Sequence, residues 1–151
     1  MYTPPAGTVL PVGSQTLAVA FTPSNAADYN SATAQVTLLV TQPTIGLSPS
    51  SLNFGNVKYG NLVFLLETVS NPGSTPLKIT GVSIKLGSGS DSDDFGLLSL
   101  CSEYVNPGKS CDIVVSFYAD DLGVHDATLL VTDSAAGSPR QVPITANVVK
   151  K

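Results

Sequence analysis

The sequence has no tryptophan, a single histidine, a single methionine and only 12% charged residues. Each scarcity removes a class of function. Seven Lys and Arg are scattered against eleven Asp and Glu, for a net charge of −4, so no basic stripe exists to follow a nucleic-acid backbone. With one histidine, two cysteines fall short of the Cys and His set of a structural zinc site, so metal binding by the cysteine pair is not expected. Sugar-stacking platforms lose their best ring when tryptophan is missing. No apolar run approaches the roughly 20 residues that span a bilayer. The start, Met1-Tyr2-Thr3-Pro4-Pro5, has neither the basic nor the apolar region of a signal peptide, so any export signal is expected upstream. No Asn opens an Asn-x-Ser/Thr glycosylation acceptor. Helical periodicity is also missing, because nowhere does a 3.6-residue apolar repeat persist for three turns.

What remains is 42% apolar residues, 13 Gly, 11 Pro, and Ser or Thr between the apolar positions. That is the profile of short strands joined by tight turns. Its length of 151 residues suits one domain with a fragment, or two small domains. One pattern occurs twice. Ser14 to Phe21 alternates small or polar with apolar residues; a loop holding Tyr29 follows, and then Ala34, Val36, Leu38 and Val40. It recurs as Ser110, Ile113, Val115 and Phe117, a loop, then Ala127, Leu129 and Val131. The chain therefore reads as a slice of a modular β-protein, carrying the tail of one unit and the whole of the next.

Residues 1–42 are expected to form a partial or small immunoglobulin-like β segment with strands at 15–22 and 32–41. An isolated hairpin is marginal in water, so this segment needs missing strands, a neighbouring domain or another chain. Its unpaired edges invite homodimerisation by strand pairing. Tyr29 precedes the last strand as a tyrosine corner does, and a packed structural role is expected for it. Pro43 marks the boundary. Residues 43–151 should then supply strands near 45–54, 62–70, 77–84, 95–98, 111–117, 126–132 and 141–149. Seven short strands at about ten-residue spacing predict an all-β, antiparallel immunoglobulin-like sandwich with almost no helix. Leu62-Val63-Phe64-Leu65-Leu66 is more apolar than a half-exposed strand should be, which points to a covered or contacting face. Cys101 and Cys111 bracket the Pro107-Gly108 turn. They read as a disulfide closing a small loop, the alternative being two reduced thiols.

From Leu47 onward the chain resembles the bacterial Hydin-type (ASH-like, choice-of-anchor D) immunoglobulin modules. The resemblance lies in Leu47-Ser48-Pro49-Ser50-Ser51-Leu52-Asn53-Phe54-Gly55-Asn56-Val57 and in Val69-Ser70-Asn71-Pro72-Gly73-Ser74-Thr75-Pro76-Leu77. Asp94-Phe95, the cysteine pair, Val115-Ser116-Phe117 and Asp133 to Pro139 continue it. Residues 3–41 are similar to the last strands of bacterial immunoglobulin-like repeats. The resemblance implies tandem β-sandwiches in a secreted or surface-anchored bacterial protein. It implies no catalytic residue, only a spacer, display or adhesion module beside neighbouring domains of a longer chain.

Carboxylates are the one clustered reactive group. Alternating strand direction predicts that the loop of Asp91, Asp93 and Asp94 and the loop of Asp120 and Asp121 converge at one end, near Lys58 and Tyr59. The disulfide is expected at the other end, facing residues 1–42. Five aspartates, Asp91, Asp93, Asp94, Asp120 and Asp121, would suit calcium as a cofactor or form a solvated acidic patch. Asp93, Asp94, Asp120 and Asp121 are also the candidates for an acid/base pair in glycoside hydrolysis. His125 reads as an exposed loop residue. Tyr59 and Tyr118 are candidate polysaccharide contacts of a carbohydrate-binding module, although Tyr59, Tyr104 and Tyr118 are expected at different ends rather than on one platform.

Overall fold

A computed structural model describes residues 1–150. It contains twelve β-strands in three sheets, and the described residues divide into two compact units, Met1–Gln42 and the unit that starts at Pro43.

The first unit is a three-stranded antiparallel sheet of β1 (Tyr2–Thr3), β2 (Gly13–Phe21) and β3 (Ala32–Val40), in that order. Period-two alternation puts Leu17, Val19, Ala34 and Val36 on one face, with Thr16 opposite Thr37 on the other. No residue of this unit is buried. Tyr29 is accordingly 65% exposed rather than packed as a corner. A corner ring needs an opposing sheet to pack on, and this unit has one layer.

The second unit is a sandwich. One sheet has the order β4 (Gly46–Ser48), β6 (Leu62–Ser70), β10 (Ser110–Tyr118), β8 (Phe95–Ser99). The other runs β5 (Leu52–Lys58), β12 (Arg140–Val149), β11 (Gly123–Asp133), β7 (Leu77–Leu86), β9 (Tyr104–Val105). The immunoglobulin-like all-β fold is thus as expected, with two differences. The strand expected at 45–54 is two strands in different sheets, broken at Pro49, which has no N–H for a ladder. The chain does not reverse there, so β5 meets β12 in parallel, with Ile144 beside Leu52 and Val149 beside Lys58. The short β9, also unexpected, pairs with the start of β7.

Alternation fills the space between the sheets. Ile113, Val115 and Phe117 of β10 face Leu129 and Val131 of β11 and Val142 and Ile144 of β12, all essentially without exposure. The Phe117 ring lies 5.0 Å from that of Phe95 and 5.6 Å from that of Phe54. At one end of the sandwich Cys101 and Cys111 form a disulfide with a Cα separation of 5.0 Å, half-buried against this core. Nearby Asn71 is buried, and its amide donates to the carbonyls of Thr75 and Val105 and accepts from Gly73 N–H, tying the Asn71-Pro72-Gly73 turn to β9.

Candidate functional site

Opposite the disulfide, two loops meet. The β7–β8 loop carries Asp91, Asp93 and Asp94, and the β10–β11 loop carries Asp120 and Asp121. The β5–β6 turn joins them, because Gly60 N–H donates to Ala119 C=O and Ala119 N–H donates to Asn61 C=O. Tyr118 N–H donates to Asp94 C=O, which fixes the first loop against the second.

Three carboxylates converge: one oxygen each from Asp91, Asp94 and Asp120 lie within 4.8 Å of one another. The other two acidic candidates stand apart from this group. Asp93 is exposed, and its N–H donates to Asp91 Oδ1. Asp121 is exposed and contributes its backbone carbonyl. Asp94 lies deepest, at 1% exposure, so a polymeric substrate has no approach to its carboxylate.

Beneath Asp94 sits His125, which corrects the expectation of an exposed loop residue. It is the third residue of β11 and is 2% exposed. Its parity explains why: 125, 127, 129 and 131 all point inward. The ring packs 5.4 Å from Phe117. His125 Nε2 is 3.0 Å from the Asp121 carbonyl, and Nδ1 is 2.9 Å from Asp94 Oδ2. A carbonyl only accepts, so Nε2 carries a hydrogen, and Nδ1 and Oδ2 face each other across a further proton. Burial pulls the His125 pKa down, but the Asp94 carboxylate, the Asp121 carbonyl and the nearby charges outweigh it, and the net shift is upward. Asp94 Oδ2 also accepts from Asp91 N–H at 2.8 Å. Asp94 Oδ1 and Asp120 Oδ1 are buried with no donor. Desolvation, and then the adjoining Asp94 carboxyl, raise the Asp120 pKa.

A second buried acid was not singled out in the sequence. Glu67 shows no exposure, faces inward between Leu65 and Val69, stands opposite Ile113, and neither carboxylate oxygen has a partner. Burial pushes its pKa up to about 7, the Ser48 backbone pulling weakly the other way without reaching hydrogen-bonding geometry.

The outer faces of the two sheets differ. On the four-stranded sheet Leu62 pairs with Tyr118, Phe64 with Ser116, and Leu66 with Val114, which pairs in turn with Leu98. Leu62, Phe64, Leu66, Leu98, Leu100 and Tyr118 are all exposed, between 43% and 60%. The outer face of the other sheet shows Thr128, Gln141 and Thr145 beside exposed Val124 and half-buried Leu130. The position of β4 sharpens the contrast: it pairs only with 68–70 of β6, leaving the edge of 62–67 uncovered on that side. Tyr59 and Tyr118 are half-exposed at the same end, joined through the Gly60–Ala119 backbone bond. Tyr104 is at the other end, where Lys78 lies 5.7 Å from its ring centroid.

Residues 43–147 match the family described as the HYDIN/CFA65/VesB-like, Ig-like domain. No curated protein matches the chain. Among solved structures, a protein of unknown function from Porphyromonas gingivalis W83 is 16% identical, with a TM-score of 0.59 over 91% of this chain and 67% of that one. The ASH/PapD-like domain 7 of human CEP192 is 12% identical, with a TM-score of 0.57 over 73% and 88%. The secreted serine protease VesC from Vibrio cholerae is 16% identical, with a TM-score of 0.53 over 64% of this chain and 21% of that one. This chain therefore spans about a fifth of VesC. At these identities the likeness is one of fold.

Proposed function

The chain belongs to the HYDIN/CFA65/VesB-like, Ig-like domain family, and from that membership we propose that it is a non-catalytic contact and spacing module of a secreted or surface-anchored bacterial protein. The observation that carries this reading is the apolar outer face of β6, β8 and β10. Its six exposed side chains lie on or next to neighbouring strands and form one contiguous apolar patch, and such patches mark contact sites. The occupant is a neighbouring domain of the same longer protein. Apolar faces of this kind are what adjacent domains of one chain bury against each other. The secreted VesC, in which a domain of this fold is one part of a longer chain, and the disulfide support an extracellular, bacterial setting.

Hydrogen exchange tests this reading. Amides of 62–67 should exchange more slowly in the longer host protein than in this chain alone. A Phe64→Ser/Leu66→Ser host should lose the difference. Equal exchange in both settings would refute the assignment of this face.

Two further readings each have one supporting observation. The single-layer first unit, with a free β3 edge, supports homodimerisation by strand pairing, and light scattering of the whole chain would show the dimer mass. Half-exposed Tyr59 and Tyr118 at one end support polysaccharide binding, which Tyr59→Ala and Tyr118→Ala should each abolish in a pull-down on insoluble polysaccharide.

A further inference from the structure

We propose that Asp91, Asp94 and Asp120 form a binding site for a hard divalent cation, calcium by class. The site stands independently of the contact reading above. The first observation is the convergence of three carboxylate oxygens within 4.8 Å, contributed by two loops that backbone bonds hold together. The second concerns Asp94 alone. This side chain is 1% exposed, and its Oδ1 has neither solvent nor a donor. Buried carboxylate oxygens are ordinarily hydrogen-bonded, and an orphan of this kind calls for a water or an ion. Asp120 Oδ1 is orphaned in the same way. A cation between facing, donorless carboxylates satisfies both and offsets their repulsion.

Charge and ligand type select the ion. Three carboxyl side chains offer the hard oxygen donors that such an ion takes. No Lys or Arg of the described residues forms an ion pair with Asp91, Asp94 or Asp120. Both His125 nitrogens are engaged, so the ligand set is purely oxygen. Oxygen-only sites suit calcium over zinc, whose sites ordinarily include nitrogen or sulfur ligands. Asp91 is exposed and Asp120 half-buried, which gives the ion an entry path and leaves its remaining positions to water.

Calorimetric titration of the whole chain with calcium chloride at constant ionic strength tests the site. Saturable one-site binding is expected with Kd on the order of 10⁻⁴–10⁻³ M, the range of extracellular calcium modules. Asp91→Asn and Asp120→Asn, both at solvent-reachable positions, should each weaken it at least about tenfold with an unchanged circular dichroism spectrum, whereas Asp93→Asn should not. Carboxyl ¹³C resonances of Asp91, Asp94 and Asp120 in the unmodified chain should shift together as calcium is added. No saturable heat, equal binding by all three variants, or carboxyl shifts absent from these residues would each overturn the proposal. A shared proton in place of an ion would appear as the first of these outcomes.

Discussion

Replacing Glu67 with glutamine should make the protein more stable, and only above a certain pH. The carboxyl is enclosed by apolar side chains with no donor, and its pKa is raised from 4.5 to about 7. Between those values the folded state holds a proton that the unfolded state has released, so stability falls as pH rises through the window and levels off above about 7. A rise of this size corresponds to roughly 3 kcal/mol, all of it lost at pH 8 and none of it at pH 4. The amide of the Glu67→Gln variant is uncharged throughout and fills the same volume. The variant should therefore match the parent to within about 1 kcal/mol at pH 4. At pH 8 it should exceed the parent by roughly 3 kcal/mol, or on the order of 10 °C in Tm for a unit of this size. Urea unfolding at five or six pH values measures both curves. The difference between variant and parent isolates Glu67, because the raised pKa values of His125 and Asp120 tilt both curves alike. A difference that stays flat from pH 4 to 8, or a parent carboxyl that titrates near 4.5 by ¹³C NMR, would refute the reasoning.

Reducing the Cys101–Cys111 bond, which spans a sequence separation of 10, should cost about 3 kcal/mol by loop entropy, read as a lower Tm with reductant and absent from the Cys101→Ser/Cys111→Ser variant. His125→Ala should cost about 3–5 kcal/mol by leaving Asp94 buried without its partner, and Asp94→Asn/His125→Ala should cost less than the sum of its parts in a double-mutant cycle. Gly89→Ala should destabilise more than Gly108→Ala. The two share φ near +70°, worth about 1–2 kcal/mol to any Cβ, but only at Gly89 would that Cβ lie 2.2 Å from a backbone oxygen, that of Val124.

Alternation made the sandwich legible: the inward residues of β10, β11 and β12 sit at every second position of runs visible in the sequence. The same rule would have found two of the buried titratable groups. His125 extends the inward series of Ala127, Leu129 and Val131, and Glu67 lies between Leu65 and Val69 in the inward series of β6. They escape a sequence reading because a polar residue at a strand position is ordinarily read as facing solvent. Pro49 was likewise a visible break inside the strand expected at 45–54. Two other features had no local signal. Tyr29 stands exposed because its unit has one layer, and burial depends on a second sheet that no local pattern announces. The split of the acidic loops, with Asp94 sequestered and Asp93 outward, depends on the Asp91 N–H bond to Asp94 and on the turn it closes.

The sheet change at Pro49 has a mechanical consequence. Because β5 meets β12 in parallel, tension applied to the two ends of the sandwich draws the first long strand and the last in opposite directions along their common axis. Their ladder, from Ile144 beside Leu52 to Val149 beside Lys58, is then strained in shear, all rungs together. An antiparallel hairpin pulled from its open end would instead unzip one rung at a time. A unit wired this way resists stretching far better than its thermodynamic stability suggests.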